Sequence, residues 1–499
     1  MPKAIVSVFD KTSLVPFCQG LTTLGWELIA SGGTAKHLND AQIPVVEVAD
    51  YTGSPEVLGG RVKTLHPAIH AGLLARDTQD DSANLAAMGW SPIDMAIVNL
   101  YPFEDVILRE NTSLEEAVEM IDIGGVALMR AAAKNFKRVI LASDPQDYEI
   151  ILSKLEPGEV DETFRRSLAV KGFQITTTYD RAIANYLGDI ASETLTLYPI
   201  QTLRYGENPH QEATLYGYQP DQTPMGGTVL HGKPLSYNNL LDLDAAWRAA
   251  VSFSAPSIVI VKHLSPCGIA VDQNLIIAYQ KALASDPVSA FGSVIASNRE
   301  IDSATAAHMG DLFIECIAAP SFSEEALALL TKKKNLRLVE MPDLNLEPPF
   351  EWRSVTRGLL KQSLDMGDPE GTSWQVVTTR EPDEAEWRDL QFAWLAVQHV
   401  KSNAIVFAYD QATIGIGGGQ PNRVDCVHMA IERAGDKAQG AVMASDAFFP
   451  FADSISLAVK AGISAIIQPG GSIRDAEVIE AANQSDLAMV FTNVRHFRH

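Results

Sequence analysis

Ser257-Ile258-Val259-Ile260-Val261-Lys262-His263-Leu264-Ser265-Pro266-Cys267-Gly268 decides how the rest of the chain is read. A β-branched apolar run this short suits a strand better than a helix, and it ends abruptly in Lys262-His263 before a Pro-Cys-Gly turn. The pattern predicts a buried strand that delivers two proton-handling side chains to a sheet edge. An imidazole beside an ammonium suits a general base working next to an electrostatic stabiliser. The plain alternative is a solvated strand end, so the surrounding sequence has to carry the choice.

With 499 residues, 46% hydrophobic and 20% charged, the chain is long enough for large buried cores. That length corresponds to about three or four domain-sized units. No apolar run reaches the roughly 18 residues of a membrane span. Met1 to Ser7 leads into a strand rather than a signal peptide, and the expectation is a cytoplasmic protein with no membrane partner. Cys18, Cys267, Cys316 and Cys426 lack CxxC spacing, which indicates neither a disulfide framework nor a cysteine zinc site. Pro266-Cys267 resembles the PCxxC of zinc deaminases, but the second position is Ala270 and no HxE precedes it. A net charge of −23, spread over both halves, argues against a nucleic-acid partner. An anionic small substrate would need a local basic pocket.

Such a pocket is foreshadowed in the first two hundred residues. Ala4 to Phe9 reads as a strand, and Asp10-Lys11-Thr12 can cap a helix carrying Leu14, Val15, Phe17, Cys18 and Leu21. A second strand, Trp26 to Ala30, runs into Ser31-Gly32-Gly33-Thr34 and a helix from Ala35. Strand, glycine turn and helix make an anion cradle, because unpaired amides and the macrodipole face the ligand. Gly59-Gly60-Arg61-Val62-Lys63-Thr64-Leu65-His66-Pro67 adds two cations and a hydroxyl. Asp122-Ile-Gly124-Gly125 opens a further helix with Arg130 and Lys134 one turn apart on one face. Between them, the strand from Met95 ends in Asn99-Leu-Tyr101-Pro102, an amide and a phenol at a turn. His66 and His70 have the spacing of metal ligands, but Pro67 intervenes and no acidic partner stands nearby, so no metal is expected. A helix over Thr163 to Leu187 precedes a boundary placed at 197/198.

The second part reads as a duplicated α/β fold. Leu203 to Gln211 is a loop rich in functional residue types, and Ser236 starts a helix bearing Asn238 and Asn239. Ser285-Asp286 followed by Phe291, and Ser445-Asp446 followed by Phe451, suggest two related lobes divided near residue 360, with a ligand groove between them. The Gly415 to Gln420 run lacks the glycine spacing and downstream acid of a nicotinamide fingerprint. The basic end, Arg495-His496-Phe497-Arg498-His499, is either a frayed tail or an anion clamp.

Taken together, ASGGT, GRVKTLHPAIHAG, NLYPF, IDIGGVALMRAAAKN, LRYGENPHQ, VKHLSPCG, DPVSAFG, KSNAIV, SDAFFPF and TNVR occur in this order along essentially the whole chain. The set resembles the bifunctional purine biosynthesis family, which joins a phosphoribosylaminoimidazolecarboxamide (AICAR) formyltransferase to an IMP cyclohydrolase. The resemblance implies an α/β protein with a methylglyoxal-synthase-like N-terminal domain over 1–197. A formyltransferase region of two cytidine-deaminase-like α/β lobes without zinc would follow over 198–499. It implies 10-formyltetrahydrofolate as co-substrate, AICAR, formyl-AICAR and IMP as the other ligands, no catalytic metal, and a homodimer with transferase sites shared between copies.

Carried over by motif, Lys63, Tyr101, Asp122 and Lys134 would serve ring closure. Lys11, Ser31, Gly32, Gly33, Thr34, Arg61, Thr64, Gly124 and Gly125 would hold the nucleotide there. Ring closure asks for donors on the formyl oxygen and a carboxylate or phenol to take the amide proton. In the transferase, His263 resembles the base acting on the arylamine, with Lys262 and Asn403 stabilising the oxyanion. Arg204, Tyr205 and Arg495 resemble nucleotide contacts, and Asn239 and Glu315 would read the carboxamide or amine. Phe291, Phe448 and Pro450 would line the folate slot. Two departures stand out: Phe9 replaces the small hydroxyl residue usual in SVSDK, and GGGQPNR differs from the usual GQMSR-like form. Two competing readings are a phosphorylated-metabolite-binding regulatory protein without folate turnover and a zinc-dependent deaminase.

Overall fold

Ala4-Ile-Val, Leu28-Ile-Ala and Met95-Ala-Ile-Val offer water no polar face, so they belong inside a sheet covered on both sides. In the computed structural model, which describes residues 1–109, 111–188 and 193–499, they lie in the first of two compact units, Met1–Thr194. Its strands are β1 (Lys3–Ser7), β2 (Glu27–Ala30), β3 (Val46–Glu47), β4 (Met95–Val98) and β5 (Ile140–Ala142). They run parallel in the order β3-β2-β1-β4-β5. Phe17, Leu21 and Tyr148 pack on one face, and Ile69, Leu128 and Met129 on the other. The chain leaves β1 toward β2 and returns for β4 on the opposite side. The carboxyl ends of β1 and β4 therefore frame the crevice in which such sheets bind ligands.

Local details differ from the sequence reading. β1 stops at Ser7 rather than Phe9, because Asn99 Oδ1 accepts from the Phe9 and Asp10 amides at 2.6 and 3.0 Å and draws them into a loop. Asp10 does not cap the Leu14–Thr23 helix; its carboxylate turns back onto the amide and hydroxyl of Thr12, and Ser13 stands at the N-cap. The second helix begins at Gly32, not Ala35, so the amides of Gly33 and Thr34 belong to its open first turn.

The second unit, Leu195–His499, contains β6 (Tyr198–Thr202) paired with β7 (Thr214–Gly217), and a twelve-stranded sheet. Its first half is β8 (Thr228–His231), the hairpin β9 (Ser257–Lys262) and β10 (Ser265–Val271), then β11 (Ser293–Ser297), β12 (Ile314–Ala319) and β13 (Arg337–Glu340). A separate hairpin, β14 (Phe350–Val355) and β15 (Gly358–Ser363), intervenes. The other half is β16 (Gln375–Val376), the hairpin β17 (Ala404–Tyr409) and β18 (Ala412–Gly418), then β19 (Val442–Ser445), β20 (Ala465–Gln468) and β21 (Ala488–Phe491). Read from the two edges inward, β8-β13-β12-β11-β9-β10 and β16-β21-β20-β19-β17-β18 repeat one succession of pairings and meet at β10 and β18.

The repeat reaches single residues. In each lobe a helix with a capping box precedes the hairpin, Ser236 with Asn239 and Asp383 with Glu386. Asp242 and Asp389 then grip the backbone of their own lobe's hairpin turn, at the Leu264 amide and at the Asp410 and Gln411 amides. Trp247 and Trp394 fill matching core positions, and Ser252 meets its counterpart His399, 147 residues on, at 3.0 Å. Asp242-Leu-x-x-Ala-Trp-x-Ala and Asp389-Leu-x-x-Ala-Trp-x-Ala are the sequence trace of this repeat. The serine-aspartate echo is not: Ser285-Asp286 closes the Leu275–Ser285 helix, whereas Ser445-Asp446 ends β19. The counterpart of Ser445-Asp446 is Ser297-Asn298 at the end of β11.

The opening stretch also folds differently from its first reading. His263 and Leu264, at φ of 56° and 61°, form the two-residue turn between β9 and β10. Pro266, Cys267 and Gly268 lie within β10, where a register shift between Pro266 and Gly268 absorbs the missing proline amide. Gly268 is there for packing, since a Cβ would stand 1.9 Å from the Ala282 carbonyl oxygen of the helix laid on the hairpin. Among the described residues no helix is long and apolar enough to cross a membrane.

Candidate functional site

In the first unit, the carboxyl ends of β1, β2 and β4 open onto a cavity of about 660 Å³. Two helix starts face it, Gly33-Thr34 and Gly124-Gly125, so the positive ends of two helix dipoles point at the same space, although the Thr34 amide donates to the Ser31 carbonyl at 3.2 Å. Lys11, Arg61 and Lys63 add positive charge, and Ser31, Thr64, Tyr101 and Asp122 add polar groups. Lys63 Nζ sits 3.4 Å from Glu56 and close over Gly32, where a Cβ would meet it at 2.8 Å. Gly32 is at φ 50°, so both its backbone and its bareness let the ammonium approach the helix start. Arg61 pairs with Glu119 at the rim.

Asp122 is the carboxylate of this cavity. Burial raises it above the ordinary aspartate range, opposed by the Gly125 amide, which donates to Oδ1 at 2.7 Å. A carboxylate made more basic, sharing its cavity with a phenol and an ammonium, is equipped to take a proton while they hold developing negative charge. Phe9 packs edge-on to Tyr101 with ring centroids 5.6 Å apart, so the aromatic departure braces the phenol in place of donating a hydrogen bond. In the sequence Asn99 reads only as a turn amide. It fastens the Phe9-Asp10 loop to the end of β4 and lines the cavity.

Lys134 is not brought into that cavity. It ends the Gly124–Lys134 helix and lines a neighbouring hollow of about 610 Å³ with His70, Arg130 and Phe173, which Asp122 also borders. His66 accepts from the Ala68 amide as the cap of its helix. Among the described residues no group of three or more His, Cys, Asp or Glu side chains is placed to hold a metal.

In the second unit, His263 is exposed at the tip of the β9-β10 hairpin. Two non-glycine residues in the left-handed region are costly, and the Asp242 carboxylate holds them by accepting from Leu264 N at 2.7 Å. Lys262 reaches the Phe291 carbonyl at 2.7 Å. Phe291, 60% exposed, and Phe313 form an aromatic surface beside it, 5.2 Å between centroids. Pairing of Ala270 with Ala412, and of Ala404 with Gly418, brings the start of β17 to the same sheet end as this tip. Asn403 stands there, its Nδ2 donating to the Gln420 and Pro421 carbonyls at 2.9 and 3.1 Å.

Other expected residues are distributed around the unit. Arg204 stacks on Tyr205 at 5.2 Å, and Arg495 on Phe497 at 4.6 Å. Asn239 spends its oxygen on the Ser236 cap, and Glu315 pairs with Arg337 at 2.7 Å. Phe448 and Pro450 are exposed after β19. The basic end is docked rather than frayed. His496, 2% exposed, lies between Asp365 and Asp368 at 2.7 and 2.9 Å. Burial alone would lower its pKa; the two carboxylates override this and hold it above the ordinary histidine value. That stabilisation is complete below the unfolded value of about 6.5 and disappears as pH rises through the higher folded value. The melting temperature of the second unit should therefore decline on that alkaline side, with His496→Gln flattening the slope; calorimetry across roughly pH 6 to 9 measures it. A slope unchanged by the substitution would assign the pH dependence elsewhere.

Comparison of the sequence with known proteins points to one family. A family model described as "AICARFT/IMPCHase bienzyme" matches residues 132–433, and one described as "MGS-like domain" matches residues 13–127. The "Bifunctional purine biosynthesis protein PurH" of Synechococcus elongatus is 50% identical over 515 aligned positions, covering 100% of both chains. The protein of that name from Listeria monocytogenes is 49% identical over 510 positions, again covering 100% of both. A solved structure described as "Crystal structure of ForH" is 39% identical, covering 38% of this chain and 99% of its own, with a TM-score of 0.34. With full-length relatives at half identity and a family model spanning most of its length, the chain belongs to the AICARFT/IMPCHase bienzyme family.

Proposed function

We propose that the chain performs two successive steps of purine nucleotide synthesis. It transfers the formyl group of 10-formyltetrahydrofolate to the amine of AICAR, then closes formyl-AICAR to IMP with loss of water. The single observation that carries the ring-closing half is the convergence of two helix starts, three cations, Tyr101 and a basic Asp122 on one cavity. Ring closure is assigned to residues 1–197 and formyl transfer to 198–499, the latter divided into lobes near residue 360.

In ring closure, phosphate would bind at the helix starts of Ser31–Thr34 and Gly124-Gly125, with Lys11 and Arg61. Lys63 would donate to the formyl oxygen as the amide nitrogen attacks, and Asp122, aided by Tyr101, would take the amide proton. Lys134, facing the adjoining hollow, is assigned a supporting charge at the Asp122 side.

In formyl transfer, His263 would accept the proton of the arylamine as nitrogen attacks the formyl carbon. Lys262 and Asn403 would stabilise the oxyanion, and the tetrahydrofolate nitrogen leaves protonated. A developing oxyanion is a stronger acceptor than a carbonyl, so it can draw the Asn403 N–H that now goes to Pro421. Phe291, Phe448 and Pro450 would receive the folate ring system, Arg204, Tyr205 and Arg495 the nucleotide, and Asn239 and Glu315 its carboxamide or amine.

The assay is joint: AICAR and 10-formyltetrahydrofolate are supplied, and tetrahydrofolate, formyl-AICAR and IMP are followed together. Nucleotide binding without folate turnover would favour the regulatory reading instead. Arg495 gives a local check. It is exposed, so Arg495→Ala should fold normally and raise the AICAR KM about tenfold or more with kcat little changed. Unchanged AICAR saturation would remove it from the nucleotide contacts.

A further inference from the structure

Of residues 493–499, which carry the chain past its last strand, only His496 is buried. An apolar side chain would anchor such a segment at less cost, since Trp394 packs edge-on to the ring at 5.2 Å and Trp374 stands against Trp394. The imidazole is instead bound at both nitrogens. Nδ1 donates to Asp365 Oδ2 at 2.7 Å and Nε2 to Asp368 Oδ1 at 2.9 Å. An ionised carboxylate only accepts, so both nitrogens carry hydrogen and the buried ring is an imidazolium, although burial opposes the charge.

The two aspartates are themselves fixed. Both indoles donate to Asp368, Trp374 to Oδ2 at 2.7 Å and Trp394 to Oδ1 at 3.1 Å, and the Gly367 amide donates to Asp365 Oδ1 at 3.1 Å. Of the other titratable groups around the ring, His399 is held neutral, its pKa pushed down to about 3 by burial and then by Arg498. Asp446 meets His496 only through its backbone carbonyl, which accepts from His496 N, while its carboxylate accepts from Ser402. Hydrogen bonds from opposite ring nitrogens fix the plane of the imidazole. They also fix the turn of the main chain that leaves Arg495 and Phe497 facing outward, the guanidinium stacked on the Phe497 ring at 4.6 Å. The same segment is tied to the transferase end of the sheet: the Ser402 amide, just before β17, donates to the Arg498 carbonyl at 2.8 Å, and the Arg498 amide donates to Ser402 Oγ at 3.1 Å.

We infer that His496, held between Asp365 and Asp368, is a positioning residue for AICAR binding: it keeps Arg495 presented to the nucleotide, and its loss of a proton weakens that binding. The inference rests on the reading above in which Arg495 contacts the nucleotide. A neutral imidazole keeps one N–H, so its other nitrogen aims a lone pair at a carboxylate oxygen. Asp368 retains its two indoles, whereas Asp365, half exposed, turns to water, and the ring loses one of its two supports. The hold is complete below the unfolded histidine value of about 6.5 and is lost as pH rises through the raised folded value, so AICAR affinity should fall on that alkaline side. The nucleotide does not contribute to this fall, because a phosphate monoester completes its second ionisation around a pKa of about 6.

The test is the AICAR Kd of the full-length protein by titration calorimetry, which needs no turnover, across roughly pH 6 to 9. The parent should lose about tenfold in affinity over that range. Asp365→Asn, at a half-exposed position, should fold normally and bind within about threefold of the parent at the acid end. With one carboxylate fewer to hold the proton, it should move the loss to lower pH. His496→Gln, which cannot be charged, should bind at the parent's alkaline level at every pH, with the 10-formyltetrahydrofolate KM and the formyl-transfer kcat within about threefold of the parent. Asp365→Asn decides the matter alone if His496→Gln fails to fold. A histidine that serves only the fold would change the melting temperature without tying AICAR affinity to pH. A parental Kd that does not change with pH, or an Asp365→Asn profile that superimposes on the parent's, overturns the inference. Arg495→Ala separates it from the reading beneath it, and in that variant the pH dependence should disappear, because the hold acts through that side chain. If Arg495→Ala binds AICAR like the parent at the acid end, the nucleotide contact fails and the inference with it; if it binds about tenfold more weakly there while the parent shows no pH dependence, only the inference fails.

Discussion

His263→Ala is expected to reduce formyl transfer about 1,000-fold while leaving ring closure of supplied formyl-AICAR within about twofold of the parent. The imidazole is exposed at a hairpin tip, so truncating it opens no core cavity. The backbone sets the one structural complication: position 263 has φ 56°, where alanine is strained. His263→Asn removes that ambiguity, because asparagine tolerates the left-handed region yet has no basic nitrogen. Both variants should show the same loss in kcat, and both should leave cyclisation of supplied substrate intact. Retained formyl transfer in His263→Asn would end the assignment of the base. Loss of both activities in a folded variant would show that position 263 supports structure rather than proton transfer.

The sequence was most legible where a functional need fixes a local backbone form. Ser31-Gly-Gly-Thr34 and Asp122-Ile-Gly124-Gly125 each read as a glycine turn opening a helix, and both helices face the same cavity. Their convergence was not legible, because it depends on strand order about β1, which periodicity does not encode. Lys134 shows the same limit: one-turn spacing put it on the face of Arg130, but an eleven-residue helix carries that face to another hollow. In the opening stretch, Pro-Cys-Gly imitated a turn, whereas the turn consists of His263 and Leu264, which carry no turn signature and are held by Asp242 from outside the stretch. The serine-aspartate echo suggests the duplication through residues that are not equivalent. Its real trace is the pair of DLxxAWxA helices, conspicuous only when helix positions are compared rather than loop motifs. The terminal basic run was divided between fraying and clamping, and the structure answers with a buried His496 between two aspartates and an outward Arg495.

Asp122→Asn should produce the complementary defect: ring closure slower by about 100-fold or more, formyl transfer at its parental initial rate, and formyl-AICAR accumulating between them. The substitution is gentle to the fold, because an asparagine oxygen can still accept the Gly125 amide that Asp122 Oδ1 now accepts at 2.7 Å. What it removes is basicity. Burial holds Asp122 above the ordinary aspartate range, so as a base it is lost as pH falls through that raised value. The acid limb of ring closure should accordingly lie above pH 3.8, the ordinary aspartate value, and should be absent from the residual activity of Asp122→Asn. Gly32→Ala probes the same site from the opposite direction. Its Cβ would stand 2.8 Å from Lys63 Nζ, at a backbone φ of 50° that disfavours a side chain, so it should displace the ammonium without removing it. If Lys63 donates to the formyl oxygen, Gly32→Ala and Lys63→Ala should slow closure alike, and their combination should cost little more than either alone, because both remove one interaction. Additive losses would separate Gly32 from Lys63, and parental closure in Asp122→Asn would move the proton acceptor to Tyr101. Following formyl-AICAR and IMP chromatographically in the same reaction distinguishes these outcomes, because each leaves a different step to limit the flow from amine to purine.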